Sequence, residues 1–205
     1  MTVTNIVRRC EELDFDSVGI LEHLNSDPVH PLEKLAELVA EFRTVCSPVS
    51  LFVGSELDIL DEQGTVSGSR EIKEDLRLDY YLASAHSSAQ MDDVDSPQEF
   101  SRRYNQMIIG AIEKCDFIDV IAHPWAEVHR VIRRGMFDSW TFDDVPESCR
   151  KELIAALAEH DTAIEVNAKT SDNFNNTAYR SFLQRVCRAG IKVAVGSDAH
   201  CIEQI

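Results

Sequence analysis

At 205 residues the chain is long enough for one sizeable hydrophobic core and short for two. Its 44% hydrophobic and 27% charged composition is that of an ordinary soluble globular protein, and no apolar run reaches the roughly eighteen residues of a membrane span. A formal net charge of −16 repels phosphate backbones, which argues against stable nucleic-acid binding but leaves room for a small phosphorylated ligand held by a metal and a local arginine.

Short β-branched runs alternate with longer amphipathic stretches, the rhythm of βαβ units around a parallel sheet or barrel. Residues 5–13 are helix-like, and residues 16–21 are the first strand-like run. Over residues 31–45, Leu32, Leu35, Leu38, Val39 and Phe42 fall on one helix face. Strands follow over residues 49–53 and 78–85. Residues 97–114 form a helix with Phe100, Tyr104, Met107, Ile108 and Ala111 in register, and residues 117–122 are an apolar strand stopped by Pro124. A helix over 147–160, a strand over 163–166 and a helix over 176–189 come next, with Gly190 suited to a left-handed cap. Residues 192–195 are the last strand, which makes six.

The chemistry stands where these strands end. In chain order the endings are Glu22-His23, Glu56, His86, His123-Pro124, Glu165 with Asn167, and Asp198-Ala199-His200. In a parallel barrel the carboxyl ends of the strands converge on one rim, so groups distant in sequence meet there. Imidazole nitrogens and carboxylate oxygens are ligands for zinc, manganese or iron. A lone histidine after a strand is ordinarily a hydrogen-bonded structural residue. Here His23, His86, His123 and His200, four of the chain's seven, close predicted strands, and the joint pattern favours a site.

Taken in order, these endings resemble the PHP family, named for polymerase and histidinol phosphatase. Its members are distorted seven-stranded β/α barrels that hydrolyse phosphoesters with two or three metal ions. Leu21-Glu22-His23 looks like its second motif and Gly54-Ser55-Glu56-Leu57-Asp58 like its third. Ala83-Ser84-Ala85-His86-Ser87, Ile121-Ala122-His123-Pro124, Ile164-Glu165-Val166-Asn167 and Gly196-Ser197-Asp198-Ala199-His200 complete the series. The resemblance spans essentially the whole chain and implies an α/β fold, a distorted (β/α)7 PHP-type barrel with six of its seven strands identifiable. It also implies that His23, Glu56, His86, His123, Asp198 and His200 are metal ligands. Glu56 would bridge two ions, His86 and His123 would complete one, and Asp198 would reach the other. His23 and His200 would belong to a third ion or to its surroundings. The implied cofactors are divalent zinc, manganese or iron, two or three ions in the intact family site. The implied reaction is attack of metal-bound hydroxide on a small phosphorylated substrate, with Asp198 and His200 in catalytic roles.

One motif departs from the family, which opens with a strand ending in His-x-His; no such pair occurs in the 205 residues. The resemblance therefore implies one PHP-like domain over residues 1–205, truncated at both ends, with two exposed barrel edges that a homo-oligomer could cover. Two alternatives stand beside the phosphoesterase. One is a catalytically impaired metal-binding or interaction domain derived from such an enzyme. The other is an amidohydrolase-like barrel that uses the same ligand types on C–N bonds.

The remaining residues sort by chemistry. Arg130, Arg133 and Arg134 follow His123, and arginine forks bind phosphate, so they form either a substrate clamp or a solvated helix face together with His129. Asn167 is expected at the substrate edge, Glu165 there or around the ligands, and Lys169 within reach of the rim. His160 at a helix end and His30 in a loop are expected to be structural, Trp125 and Trp140 to be core, and Asp58, Asp61 and Glu62 to form a solvated turn. Six cysteines include no C-x-x-C pair, and the N-terminus lacks the apolar core of a signal peptide. Both fit reduced thiols in a cytoplasmic protein.

Overall fold

In the second strand, Val53 and Leu57 are apolar and buried while Phe52 and Glu56 border an internal cavity, the period-two signature of a strand with two different faces. The computed structural model describes residues 1–25, 31–86 and 93–205; His30 and Ser87 lie outside the described residues. In chain order the elements are α1 (Val3–Glu12), β1 (Ser17–Leu24), α2 (Leu32–Phe42), β2 (Ser50–Asp58), α3 (Arg70–Leu76), β3 (Tyr80–Ser84) and α4 (Pro97–Lys114). These are followed by β4 (Val120–Ile121), α5 (Val128–Arg133), α6 (Glu147–Glu159), β5 (Ala163–Asn167), α7 (Thr177–Arg188) and β6 (Val193–Gly196). The six strands form one sheet in the order β1-β2-β3-β4-β5-β6, and every neighbouring pair is parallel. Parallel neighbours need a crossover between them, which is why helices alternate with strands along the sequence. The sheet curls into a half-barrel; among the described residues β1 and β6 each have a single strand neighbour.

The outer face carries the core. Val53, Leu57, Tyr81, Ala83, Ile121 and Ile164 pack there against Leu35 and Val39 of α2, and against the buried stripe of α4, Phe100, Tyr104, Met107, Ile108 and Ala111. That stripe is the one the sequence periodicity predicts, and α4 starts where Ser96 caps it, its side chain accepting from the N–H of Glu99 at 3.2 Å. Helix α1 makes a smaller cluster, in which Val3 and Val7 meet Ile20 of β1. At the end of α7, Gly190 takes φ +74. The N–H of Ile191 donates to the Val186 carbonyl at 3.3 Å and that of Gly190 to Cys187 at 3.0 Å, the Schellman pattern.

The inner face is different. It encloses a cavity of about 830 Å³ whose lining includes Glu56, Tyr80, His123, Glu165, Asn167 and Asp198. No helix of the described residues is long and apolar enough to cross a membrane.

Several elements differ from the sequence expectation, among them β2, which runs on to Asp58 so that Glu56 lies within it. β1 continues to Leu24, so His23 lies within the strand rather than beyond it. β4 is only two residues long, because Ile118 closes a turn onto the carbonyl of Cys115 at 3.2 Å. Helix α3 was not anticipated; none of its seven residues is buried, and so short a run carries little apolar periodicity to read.

Candidate metal centre

Glu56 is the centre of the site. Its side chain is only 3% exposed, and three imidazoles surround it. His86 Nε2 lies 2.9 Å and His123 Nε2 3.1 Å from Oε1, and His23 Nδ1 lies 3.6 Å from Oε2. The rings of His23 and His86 are 5.2 Å apart, and those of His86 and His123 5.6 Å. Each arrives by simple geometry. The register of β1 on β2 sets His23 directly opposite Glu56. His86 follows β3 by two residues, on the same side of the chain as Ser84. His123 follows β4 by two residues, at φ +25, with its backbone N–H donating to Glu165 Oε2 at 2.8 Å.

Charge holds the group together. Burial alone would raise the pKa of Glu56, but hydrogen bonds from His123 and His86 outweigh it and hold the carboxyl well below its usual range. Burial also disfavours a charged His86 ring, yet the bonds to Asp58 and Glu56 prevail and push its pKa up to about 10. Asp58 is therefore not the solvated turn residue expected from the sequence: its Oδ1 lies 2.7 Å from His86 Nδ1. The readable signal was its position two residues after Glu56 in one strand, which puts both carboxylates on one face. Asp61 does belong to a turn, accepting from the N–H of Thr65 at 2.9 Å.

The donor set fits a divalent transition metal. Donor atoms of His23, Glu56 and His86 all lie within 4.8 Å of one another. In a tetrahedral site with bonds of about 2.0–2.2 Å, donors stand roughly 3.3–3.6 Å apart, so these side chains need only small shifts to surround an ion. Asp58 stands where an outer carboxylate would fix the tautomer and orientation of His86 as a metal ligand. Asp58→Asn is accordingly expected to weaken metal affinity by about 10–100-fold, measured by competition with a chelator. An unchanged affinity would remove Asp58 from the site.

Of the other predicted residues, Glu165, Asn167 and Asp198 line the cavity. Glu165 Oε1 accepts from Asn167 Nδ2 at 2.9 Å while Oε2 braces His123. Burial raises the pKa of Glu165. A Cβ at Gly196 would stand 1.9 Å from Glu165 Oε1, so any larger residue there would displace that carboxylate. Asp198, at φ +52, is ion-paired with Lys169. His200 is 65% exposed, with Nδ1 2.8 Å from the Asp198 carbonyl oxygen and 3.8 Å from its carboxylate. Among the described residues the grouping of His23, Glu56 and His86 as metal donors includes none of His123, Asp198 and His200. Arg130 Nε lies 2.5 Å from Glu127 Oε2, while Arg133 and Arg134 are exposed at the end of α5. His129 and His160 are exposed, Trp125 is buried in the core, and Trp140 donates to Ser101 Oγ at 3.0 Å. Glu127, a buried carboxylate four residues after His123, was not singled out from the sequence.

No protein-family profile matches the chain. It is 27% identical over 160 residues to a probable phosphatase of Caldanaerobacter subterraneus subsp. tengcongensis, an alignment covering 74% of this chain and 51% of that protein. The chain thus spans about half the length of the probable phosphatases it matches. In structure it resembles the histidinol phosphate phosphatase of Lactococcus lactis, solved with zinc, L-histidinol and phosphate, at a TM-score of 0.63 and 17% identity over 98% of this chain and 80% of that one. It resembles a putative histidinol phosphatase of Listeria monocytogenes at a TM-score of 0.69 and 14% identity, over 99% of this chain and 90% of that one. The curled sheet of six parallel strands and these neighbours show that the chain has the α/β half-barrel fold of the histidinol phosphatases it resembles.

Proposed function

We propose that the chain is a metal-dependent phosphoesterase acting on a small phosphorylated substrate. The observation that carries this reading is the ring of His23, His86 and His123 around buried Glu56 at the rim of a PHP-type barrel. Zinc, manganese or iron would be held by these four side chains, with Asp198 as a further carboxylate across the cavity. Such an ion, when bound, polarises phosphoryl oxygens and lowers the pKa of water toward neutrality. The chain's own residues do the rest. Asp58 and Ser84 orient the rings of His86 and His123, and Glu165 holds the His123 turn at the cavity wall. Asn167, anchored to Glu165, lies at the substrate edge. Asp198 and His200, in mutual contact at the mouth, can take part in proton transfer to the leaving oxygen. The names of the sequence relatives favour a phosphoester over the C–N bond of an amidohydrolase-like reaction. The open edges of β1 and β6 leave room for a second copy, and free cysteines suit a cytoplasmic setting.

A second reading, a catalytically impaired metal-binding domain, is favoured by one specific observation: Asp198 is paired with a lysine rather than with an imidazole-rich set. One experiment separates the two. The zinc- or manganese-loaded chain is assayed against a panel of phosphate monoesters, alongside Glu56→Gln and a chelated sample. The phosphoesterase reading expects turnover that falls by a factor of about a hundred or more in both controls. Bound metal without turnover supports the impaired domain, and turnover that survives chelation contradicts the metal-dependent reaction.

A further inference from the structure

We infer that the buried hydroxyls of Ser84 and Tyr104 act as one positioning pair, holding His123 so that its Nε2 is the nitrogen offered to a metal. The inference rests on the metal-dependent reading above and names what orients the third imidazole of that site. His123 is 2% exposed, and its two ring nitrogens meet different groups. Nε2 lies 3.1 Å from Glu56 Oε1, and Nδ1 lies 3.5 Å from Ser84 Oγ. Ser84, at the end of β3, and Tyr104, on α4, are each 1% exposed. The Tyr104 hydroxyl has no aligned hydrogen bond among the described residues, and the groups that face it are the Ser84 side chain and the Trp125 backbone.

Core packing does not call for these two oxygens. Phenylalanine at 104 and alanine at 84 would fill much the same space, and a buried hydroxyl short of a bond is a net cost. Two hydroxyls in file beside one imidazole nitrogen make sense where the ring has to present the other nitrogen. A neutral histidine carries its proton on one nitrogen and a lone pair on the second. Ligation through Nε2 therefore needs the proton on Nδ1, with an acceptor beside it. Ser84 Oγ can accept there only if its own hydrogen points elsewhere, and Tyr104 Oη is the oxygen placed to receive it. Burial raises the pKa of the Tyr104 phenol, so it keeps its hydrogen, and the charge of Glu127 does more than that of Glu56 to raise it further. That balance turns the Tyr104 hydrogen away from the Glu56 cluster and leaves a lone pair for Ser84. His86 meets the same need with a carboxylate, Asp58, 2.7 Å from its Nδ1. Without Tyr104, Ser84 is free to donate to Nδ1, and the tautomer left has Nε2 occupied by a proton.

The test is zinc affinity, measured by competition with a chelator, for the 205-residue wild-type chain, Ser84→Ala, Tyr104→Phe and the double variant. Each single change should weaken zinc binding by about tenfold, the lower end of what losing a group that orients a metal ligand costs. The double variant should match Ser84→Ala within about twofold, because Tyr104 acts only through Ser84. Urea midpoints of metal-free Tyr104→Phe should stay at the wild-type value, which a purely structural role for the hydroxyl would not allow. Long-range proton–nitrogen correlation spectra of the zinc-loaded chain should show His123 protonated at Nδ1 in wild type, with that proton lost to exchange in Ser84→Ala. Zinc affinity of Tyr104→Phe within about twofold of wild type overturns the pair, and so do losses that multiply in the double variant. A wild-type chain that holds no zinc would instead sink the metal-dependent reading on which the pair rests.

Discussion

His86→Ala is expected to strip the Glu56 cluster of its metal. His86 stands between His23 and His123, and it touches both carboxylates, Glu56 at 2.9 Å and Asp58 at 2.7 Å. Structural zinc is bound with about 10–16 kcal/mol shared among four ligands, so one imidazole accounts for roughly 2.5–4 kcal/mol. Its loss lowers affinity by about two to three orders of magnitude. A pH signature accompanies this change. With the folded pKa raised to about 10 from the ordinary 6.5 of an imidazole, protonated His86 stabilises the metal-free fold, fully below pH 6.5. That contribution declines as pH rises toward 10, at no more than about 1.4 kcal/mol per pH unit. Thermal midpoints of the metal-free protein should therefore fall across this window in wild type and stay flatter in His86→Ala. Equal slopes would show that the ring is not held in its charged form by Glu56 and Asp58.

Trp125→Ala is expected to produce the largest loss of stability. The indole is 1% exposed and sits among Phe142 at 5.5 Å, Phe182 at 5.9 Å and Tyr104 at 6.4 Å, measured between ring centroids. Truncating a buried tryptophan costs about 3–5 kcal/mol, against a total of roughly 5–15 kcal/mol for a typical domain. The site shares the damage. Trp125 has φ +62 and His123 φ +25, so the turn that aims His123 at Glu56 is a strained one held by this aromatic packing. Urea unfolding monitored by far-UV circular dichroism should show a much lower midpoint. A shift below about 0.5 kcal/mol, the level of an ordinary surface change, would mean that the aromatic cluster does not hold the turn.

Much of this architecture was legible in the sequence, for identifiable reasons. The six strands are short apolar runs bounded by helices, and the stripe of α4 follows a clean helical period. His86 and His123 were found because each follows a strand, and His23 and Glu56 because each stands near the end of one; parallel strands deliver their ends to one rim. Helix α3 escaped because it is one short run with only Ile72 and Leu76 resting half-buried against the core, and its Ser69 cap marks its start, accepting from the N–H of Ile72. Asp58 was misjudged because an aspartate near Asp61 and Glu62 reads as a turn, although the strand parity with Glu56 already placed it on the inner face. Glu127 and Lys169 were harder. Their pairing joins the start of α5 to the turn after β5, a long-range contact that no local periodicity encodes. His200 shows the limit from the other side: its motif drew it into the ligand set, and its ring stands exposed beside Asp198.

Metal content tests the central claim most directly. The chain is incubated with zinc, freed of unbound ion by gel filtration and analysed by plasma mass spectrometry, together with Glu56→Gln and His86→Ala. The ring of three imidazoles around Glu56 predicts about one tightly held ion per chain in wild type and none in either variant. Wild-type protein that emerges without zinc, or variants that keep as much as wild type, would contradict it.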